Sequence, residues 1–198
     1  MLPITHIVAA TDFSASAERA VWRGALIAKR LGAELHLLHV VNPLDLYPGP
    51  ELSLGSQRHY ERRQQEASKS QLDTLAASLH GHFGIPVQAV TRIGRAYAQI
   101  VSYAAAKAGS LIVAGARGEN TLLDLLLGST ASRLLRAATC PVLIVKNVEV
   151  GTYRQAIAAM DFSPGSAEVP TLARAIAPDA HFEALHIFDL VQEGVCAM

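Results

Sequence analysis

The chain contains 198 residues, of which 51% are hydrophobic and 17% charged, so it carries enough apolar side chains for a sizeable buried core. Its 17 lysines and arginines balance 17 aspartates and glutamates, which excludes the broad basic surface typical of proteins that bind nucleic acid or anionic membranes. The two cysteines lack metal-type spacing, no signal peptide is evident, and no apolar run approaches the roughly 18 residues that span a bilayer. We therefore expect a cytoplasmic protein with no membrane segment.

Short apolar strands alternate with helices through the first 147 residues. Strands are predicted at residues 4–10, 35–41, 87–91, 111–114 and 141–146, and each is apolar throughout rather than alternating. Helices are predicted from a cap at Ser14 or Ser16 to residue 29, and at residues 57–83, 95–107 and 129–138, with residues 42–56 as a surface loop. This alternation predicts one doubly wound α/β domain over residues 1–147, with five parallel strands covered by helices on both faces.

The loop after the fourth strand combines glycines and hydroxyl side chains in a spacing that suits a phosphate. It reads GARGENTLLDLLLGST, with Gly115 and Gly118 near its start and Gly128, Ser129 and Thr130 at its end. In open α/β sheets, ligands bind beyond the carboxyl ends of the strands, glycine allows close backbone approach, and a helix N-terminus attracts anions. We therefore predict a nucleotide polyphosphate here, although a tight turn and an ordinary N-cap would explain any single glycine.

Two further residues are expected at the same edge of the sheet. Asp12 follows the first strand, where it could accept hydrogen bonds from an adenine or ribose, or cap the following turn. Val40 ends the second strand, where it could pack on a base or belong to the core. No Walker loop, GxGxxG, HExxH or GxSxG motif is present. The eight histidines are scattered, His39 and His186 are expected inside apolar strands, and no metal ligand or catalytic residue is predicted.

The residues after position 150 repeat the beginning of the chain. AIAAMDFSPGSAE, from residue 156, aligns with HIVAATDFSASAE, from residue 6, and ALHIFD, from residue 184, aligns with LLHVVN, from residue 37. At the shared DFS triplet Asp161 matches Asp12, and in the second pair of segments His186 matches His39. An internal repeat of this kind predicts a partial β-α-β unit at residues 151–198, which stops before any glycine loop and so forms no phosphate site of its own.

With these motifs the chain resembles the universal stress protein family. The Gly115-x2-Gly118-x9-Gly128-Ser129 spacing matches that family's ATP-binding signature, and TDFSASAERA, LHLLHVV and CPVLIVK match its other recurring blocks. The resemblance implies the strand order 3-2-1-4-5, a nucleotide-binding universal stress protein domain at residues 1–147 and an incomplete second repeat at residues 151–198. It also implies a cytoplasmic stress-resistance protein that forms a homodimer through its last strand, here Val142 to Lys146.

The resemblance further implies a ligand and the residues around it. The ligand would be ATP or a related adenine nucleotide, with or without Mg²⁺. Ala10, Asp12 and Val40 would line the adenine and ribose, and Ala114 and Gly115 would flank the ribose. The phosphates would be surrounded by Arg117, Gly118, Gly128, Ser129 and Thr130. Ala10 departs from the family, in which many ATP-binding members carry proline at this position.

Three functions remain open at the level of sequence. The first is a nucleotide-binding regulatory or stress-resistance module, which the intact glycine spacing favours. The second is a dimerising stress scaffold without bound nucleotide, which would not need that spacing. The third is a slow ATP hydrolase, for which the sequence offers no evident base, metal-binding carboxylate pair or P-loop lysine near the loop.

Overall fold

The computed structural model describes residues 3–42, 54–117, 127–147 and 151–187, without the side chains of residues 54–62 and 64. These residues belong to two compact units, one within Leu2–Glu149 and the other within Val150–Met198. In the larger unit, strands and helices alternate along the chain in the predicted order. Its elements are β1 (His6–Thr11), α1 (Ala15–Leu31), β2 (Glu34–Val41), α2 (Leu54–Phe83), β3 (Val87–Ile93), α3 (Ala96–Ala105), β4 (Ser110–Gly115), α4 (Ser129–Ala137) and β5 (Val142–Val145).

All five strands form one parallel sheet in the order β3-β2-β1-β4-β5. This confirms both the doubly wound α/β class and the strand order 3-2-1-4-5. The order reverses between β1 and β4, because β2 and β3 are added on one side of β1 and β4 and β5 on the other. Such a reversal opens a crevice at the carboxyl edge of the sheet, where neighbouring connections leave in opposite directions.

Helices cover both faces of the central strands. On one face, Val8, Leu38 and Ile112 pack with residues of α3 and α4, among them Ile100 and Leu134, and all are at most 2% exposed. On the other face, α1 packs closely on the sheet at Gly24. A Cβ atom added there would lie 3.4 Å from the side chains of Ile7 and Ala9 in β1 and 3.6 Å from that of Leu35 in β2. Burying each aliphatic side chain of this size is worth about 1.5–3 kcal/mol, which explains why the central strands are mainly apolar.

The ends of α1 follow local signals in the sequence. Ser14 is the N-cap, and its Oγ accepts the backbone N–H of Ala17 at 3.2 Å. Gly32 ends the helix with φ of 64°, a conformation that costs most other residues about 1–2 kcal/mol. The prediction for α2 was less accurate, because residues 54–56 are helical rather than part of the loop. The last proline of that segment is Pro50, so nothing in residues 54–56 prevents helical hydrogen bonding.

The smaller unit is a β-α-β arrangement. It consists of β6 (Gln155–Ala159), a 3₁₀ turn (Ser166–Glu168), α5 (Val169–Ile176) and β7 (His181–Leu185), and the two strands pair in parallel. The prediction that His186 lies inside a strand was wrong, because β7 ends one residue earlier. The last pair of the two strands is Ala159 with Leu185, whose carbonyl oxygen also accepts the N–H of Met160 at 2.8 Å.

The turn after the first strand has the same geometry in both units. Oδ1 of Asp12 accepts the N–H of Ser14 at 3.1 Å, and Oδ1 of Asp161 accepts the N–H of Ser163 at 2.9 Å. The phenylalanine after each aspartate has a positive φ, 64° in the larger unit and 59° in the smaller. Positive φ is uncommon for a bulky residue, so the same local backbone occurs twice in the chain.

The histidine near the end of the second strand also repeats. His39 Nδ1 lies 2.9 Å from the carbonyl oxygen of Thr11, and His186 Nδ1 lies 2.7 Å from that of Met160. Each ring packs on the phenylalanine of the preceding turn, with centroids 4.6 and 4.7 Å apart. Each histidine therefore has a hydrogen-bond partner, His39 near the end of β2 and His186 directly after β7, and the local geometry follows the internal repeat of the sequence.

Candidate functional site

The carboxyl edge of the sheet opens between β1 and β4. The pairing of these strands ends at Ala9 opposite Val113, so Ala10 and Ala114 begin where the strands separate. β1 stays paired with β2, and β4 with β5, beyond this point. The structure thus brings two of the sequence-predicted site residues to the same crevice, at the reversal of the strand order.

Asp12 and Val40 lie at the same edge, and each has a structural partner. Asp12 is exposed directly after β1 and uses Oδ1 to accept a backbone N–H of the next turn. Val40 is half-buried in β2 and packs, like Ala10, against the core cluster beneath α3 and α4. The turn cap and the core contact weighed from the sequence are therefore both present in the structure.

Gly115 is required by packing at the end of β4. A Cβ atom added to it would lie 2.7 Å from both the backbone oxygen and the Oγ of Ser16, in the first turn of α1. The same Ser16 Oγ accepts the backbone N–H of Arg117 at 3.4 Å. Ser16, one of the two predicted caps, therefore joins α1 to the end of β4 across the crevice. Sequence reasoning missed this role because the two residues are 101 positions apart.

The N-terminus of α4 lies at the end of β4. The backbone N–H of Gly128 donates to the carbonyl oxygen of Ala116 at 2.8 Å, which closes the loop between the two elements. Gly128 is the N-cap, with φ of −62° and ψ of 159° and no side-chain cap. Ser129 is exposed and Thr130 is half-buried in the first turn, where backbone N–H groups have no intrahelical acceptor. Gly118 lies outside the described residues.

Arginines add positive charge to this edge. Arg19 of α1 donates from Nη1 to the carbonyl oxygen of Lys146, directly after β5, at 2.9 Å. Arg133 of α4 lies over the ring of Tyr97 in the first turn of α3, with its Cζ 5.3 Å from the ring centroid. Arg117 follows β4. Only Arg117 belongs to the glycine loop, so Arg19 and Arg133 could not be found from the motif.

The comparisons with known proteins identify the family. The profile described as the universal stress protein family matches residues 3–146. A universal stress protein of Methanocaldococcus jannaschii is 30% identical over 142 residues, which are 71% of this chain and 81% of the relative. The chain belongs to the universal stress protein family. A universal stress protein of Thermus aquaticus is likewise 30% identical over 141 residues, 71% of this chain and 97% of that protein.

The fold of this universal stress protein is also found in solved structures. A crystal structure of a universal stress protein from Archaeoglobus fulgidus matches with a TM-score of 0.73 and 21% identity. The match covers 93% of this chain and 67% of that chain. Among the described residues, no helix is both long and apolar enough to cross a membrane.

A second polar cluster of this universal stress protein lies at the opposite, amino edge of the sheet. His6 and Glu34 are the first residues of β1 and β2, and His36 follows in β2. Their ligand atoms lie within 4.8 Å of one another. Burial lowers the pKa of the His36 imidazole, although the Glu34 carboxylate acts in the opposite direction. The histidines are thus scattered in the sequence, but two of them meet in the fold.

Proposed function

We propose that this universal stress protein binds ATP or a related adenine nucleotide at the carboxyl edge, and that it acts as a nucleotide-binding regulatory or stress-resistance module. The observation that carries the proposal is the hydrogen bond from Gly128 to Ala116. It holds the N-terminus of α4 at the crevice between β1 and β4, where the strand order reverses. A helix N-terminus at such a crevice is a natural phosphate site.

The proposed contacts follow the order of the nucleotide. The adenine would pack near Ala10 and Val40, and the ribose would lie between Asp12 and the end of β4 at Ala114 and Gly115. The phosphates would be bound by the first turn of α4 and the residues that follow β4, namely Arg117, Gly118, Gly128, Ser129 and Thr130, with or without Mg²⁺. Charge-assisted hydrogen bonds from arginine and backbone N–H groups suit this task.

Calorimetric titration with ATP tests the proposal. Ser129→Ala and Thr130→Val each remove one hydroxyl donor, and a hydrogen bond to a charged group is worth about 1.5–3 kcal/mol, so each should weaken affinity by roughly tenfold or more. Ser102→Ala is the matched control, because Ser102 is an exposed helical serine in the last turn of α3, whose C-terminus leads into β4 at the amino edge. Equal affinity in all variants, or no binding of ATP by the wild type, would contradict the proposal.

Calorimetry, together with assays of self-association and phosphate release, separates the two alternative functions. A scaffold without nucleotide would self-associate normally and show no heat of ATP binding. A slow hydrolase would release phosphate in proportion to the amount of protein, and Ser129→Ala would lower that rate together with affinity. A regulatory module would bind ATP without such release.

We also propose a homodimer through β5. This strand is at the edge of the sheet, since its one sheet partner among the described strands is β4. It contains the four residues Val142–Val145, of which the first three are half-buried. An apolar edge strand needs a partner or a cover, and a two-fold dimer supplies one by pairing the strand with its own copy.

For residues 151–198, we propose an incomplete second universal stress protein repeat with no nucleotide of its own. The support is the shared turn, the shared histidine position and the equivalent register, in which Ala159 pairs with Leu185 as Ala10 pairs with Leu38. Because this segment contains no glycine loop, calorimetry should find one ATP per chain. A stoichiometry of two would contradict the assignment.

A further inference from the structure

The cluster at the amino edge is assembled by the pairing of β1 with β2. His6 lies directly opposite Glu34 in the parallel register. Glu34 and His36 are two positions apart on one strand, so their side chains point to the same face of the sheet. Three side chains with metal-ligating atoms therefore meet on one face. This edge is opposite to the one at which we propose nucleotide binding, so the two proposed sites share no residue.

The distances within the cluster fit a small divalent ion. His6 Nδ1 lies 3.2 Å from His36 Nε2 and 3.9 Å from Glu34 Oε2, and His36 Nε2 lies 3.6 Å from the same oxygen. The point equidistant from the three atoms is then about 2.1 Å from each, which equals the usual length of zinc–nitrogen and zinc–oxygen bonds. A tetrahedral ion with a water as fourth ligand would lie slightly out of the plane of the three atoms, so small shifts of the exposed His6 and Glu34 side chains would complete the site.

The hydrogen-bond partners of His36 are compatible with a free lone pair on Nε2. His36 Nδ1 lies 3.0 Å from the hydroxyl of Tyr103, which itself donates to Oε1 of Gln88 at 3.4 Å. The hydroxyl has a single proton, so once this proton is donated to Gln88 the Nδ1–H of His36 donates to the tyrosine oxygen. The lone pair of Nε2 then faces His6 and Glu34. A second hydrogen bond of this type orients most histidines that bind metals.

An ion can reach this point from solvent. The side chain of His36 is 0% exposed, whereas those of His6 and Glu34 are 28% and 39% exposed. Two cations lie beside Tyr103, because Lys107 Nζ and Arg92 Cζ are each 5.5 Å from its ring centroid. The Glu34 carboxylate acts on the pKa of His36 in the direction opposite to Lys107. Two imidazoles and one carboxylate are a ligand set typical of zinc, whereas Mg²⁺ and Ca²⁺ prefer oxygen ligands alone.

We propose that His6, Glu34 and His36 bind one zinc ion, with Tyr103 orienting His36 and water completing the coordination. The ion would join the first residues of β1 and β2 and so stabilise the larger unit when bound. The alternative is a cluster without metal, in which the two imidazoles share a hydrogen bond over the same 3.2 Å. The two arrangements make different predictions for zinc binding and for the role of Glu34.

The test is a calorimetric titration of the full chain, freed of metal by chelation, with Zn²⁺ alone and with Mg²⁺ alone. Glu34→Gln and His6→Asn each remove a ligand at a partly exposed position, which leaves the buried His36 in place. Each should weaken zinc binding by more than about 100-fold, while Tyr103→Phe should weaken it by about 10- to 100-fold, as for other outer hydrogen-bond partners of metal ligands. Wild type should bind one zinc ion far more tightly than Mg²⁺.

The smaller unit provides a matched control. His181 Nε2 lies 3.7 Å from Glu183 Oε1 in β7, and both side chains are mostly exposed. No third metal ligand joins this pair among the described residues. His181→Asn and Glu183→Gln should therefore leave zinc affinity unchanged. Zinc should also raise the urea midpoint of the wild type but not of Glu34→Gln.

Two results would overturn the proposal. One is a wild-type chain that binds no zinc, which would leave the cluster as a hydrogen-bonded pair of imidazoles. The other is tight zinc binding that persists in Glu34→Gln and His6→Asn, both folded by circular dichroism, because the ion would then bind elsewhere in the chain.

Discussion

The contact between Gly115 and the first turn of α1 allows a quantitative prediction. Gly115→Ala would place a methyl group 2.7 Å from the carbonyl oxygen of Ser16 and 2.8 Å from its carbonyl carbon, closer than Cβ atoms are found in proteins. A backbone carbonyl cannot rotate away as a side chain can, so α1 must move from the end of β4. Overpacking of this kind costs about 1–3 kcal/mol, and we expect the free energy of unfolding of the larger unit to fall by that amount.

Urea denaturation followed by tryptophan fluorescence measures this change in one unit alone. Trp22 is the single tryptophan of the chain, and its ring lies 5.3 Å from that of Phe83 in the larger unit. Gly81→Ala is the matched control, because an added Cβ there has no heavy atom within 4 Å. Since glycine is the poorer helix former, that variant should be more stable by about 0.5–1 kcal/mol. If Gly115→Ala unfolds at the wild-type urea concentration, the packing argument is refuted.

Three further changes test the dimer, the nucleotide site and the helix cap. Leu143→Lys places a charge on the edge strand β5 and should shift the protein from dimer to monomer in sedimentation velocity at micromolar concentration; an unchanged dimer would exclude this edge as the interface. Asp12→Asn keeps the turn acceptor but removes the charge, so ATP affinity should fall several-fold, whereas Asp161→Asn, in the equivalent turn, should leave it unchanged. Ser14→Ala removes the N-cap of α1 and should lower the free energy of unfolding by about 1 kcal/mol in the fluorescence assay, with an unchanged urea midpoint as the contrary result.

The accuracy of the sequence predictions differs between the two units for a physical reason. In the larger unit the central strands β1, β2 and β4 are mostly buried, so an apolar run such as that of β2 marks the strand itself. In the smaller unit the exposed β7 contains His181 and Glu183, and apolar residues no longer mark its limits. The predicted position of His186 inside the strand was therefore wrong by one residue.

The sequence by itself determined the elements, their order and the family, because apolar periodicity, helix caps and the glycine spacing are local signals. Only the tertiary structure decided which residues meet. The contact of Gly115 with Ser16, the arginines at the carboxyl edge and the cluster of His6, Glu34 and His36 all join residues far apart in the chain. The register of a parallel sheet and the packing of helices on it set these distances, and neither can be computed from the spacing of residues along one strand or one helix.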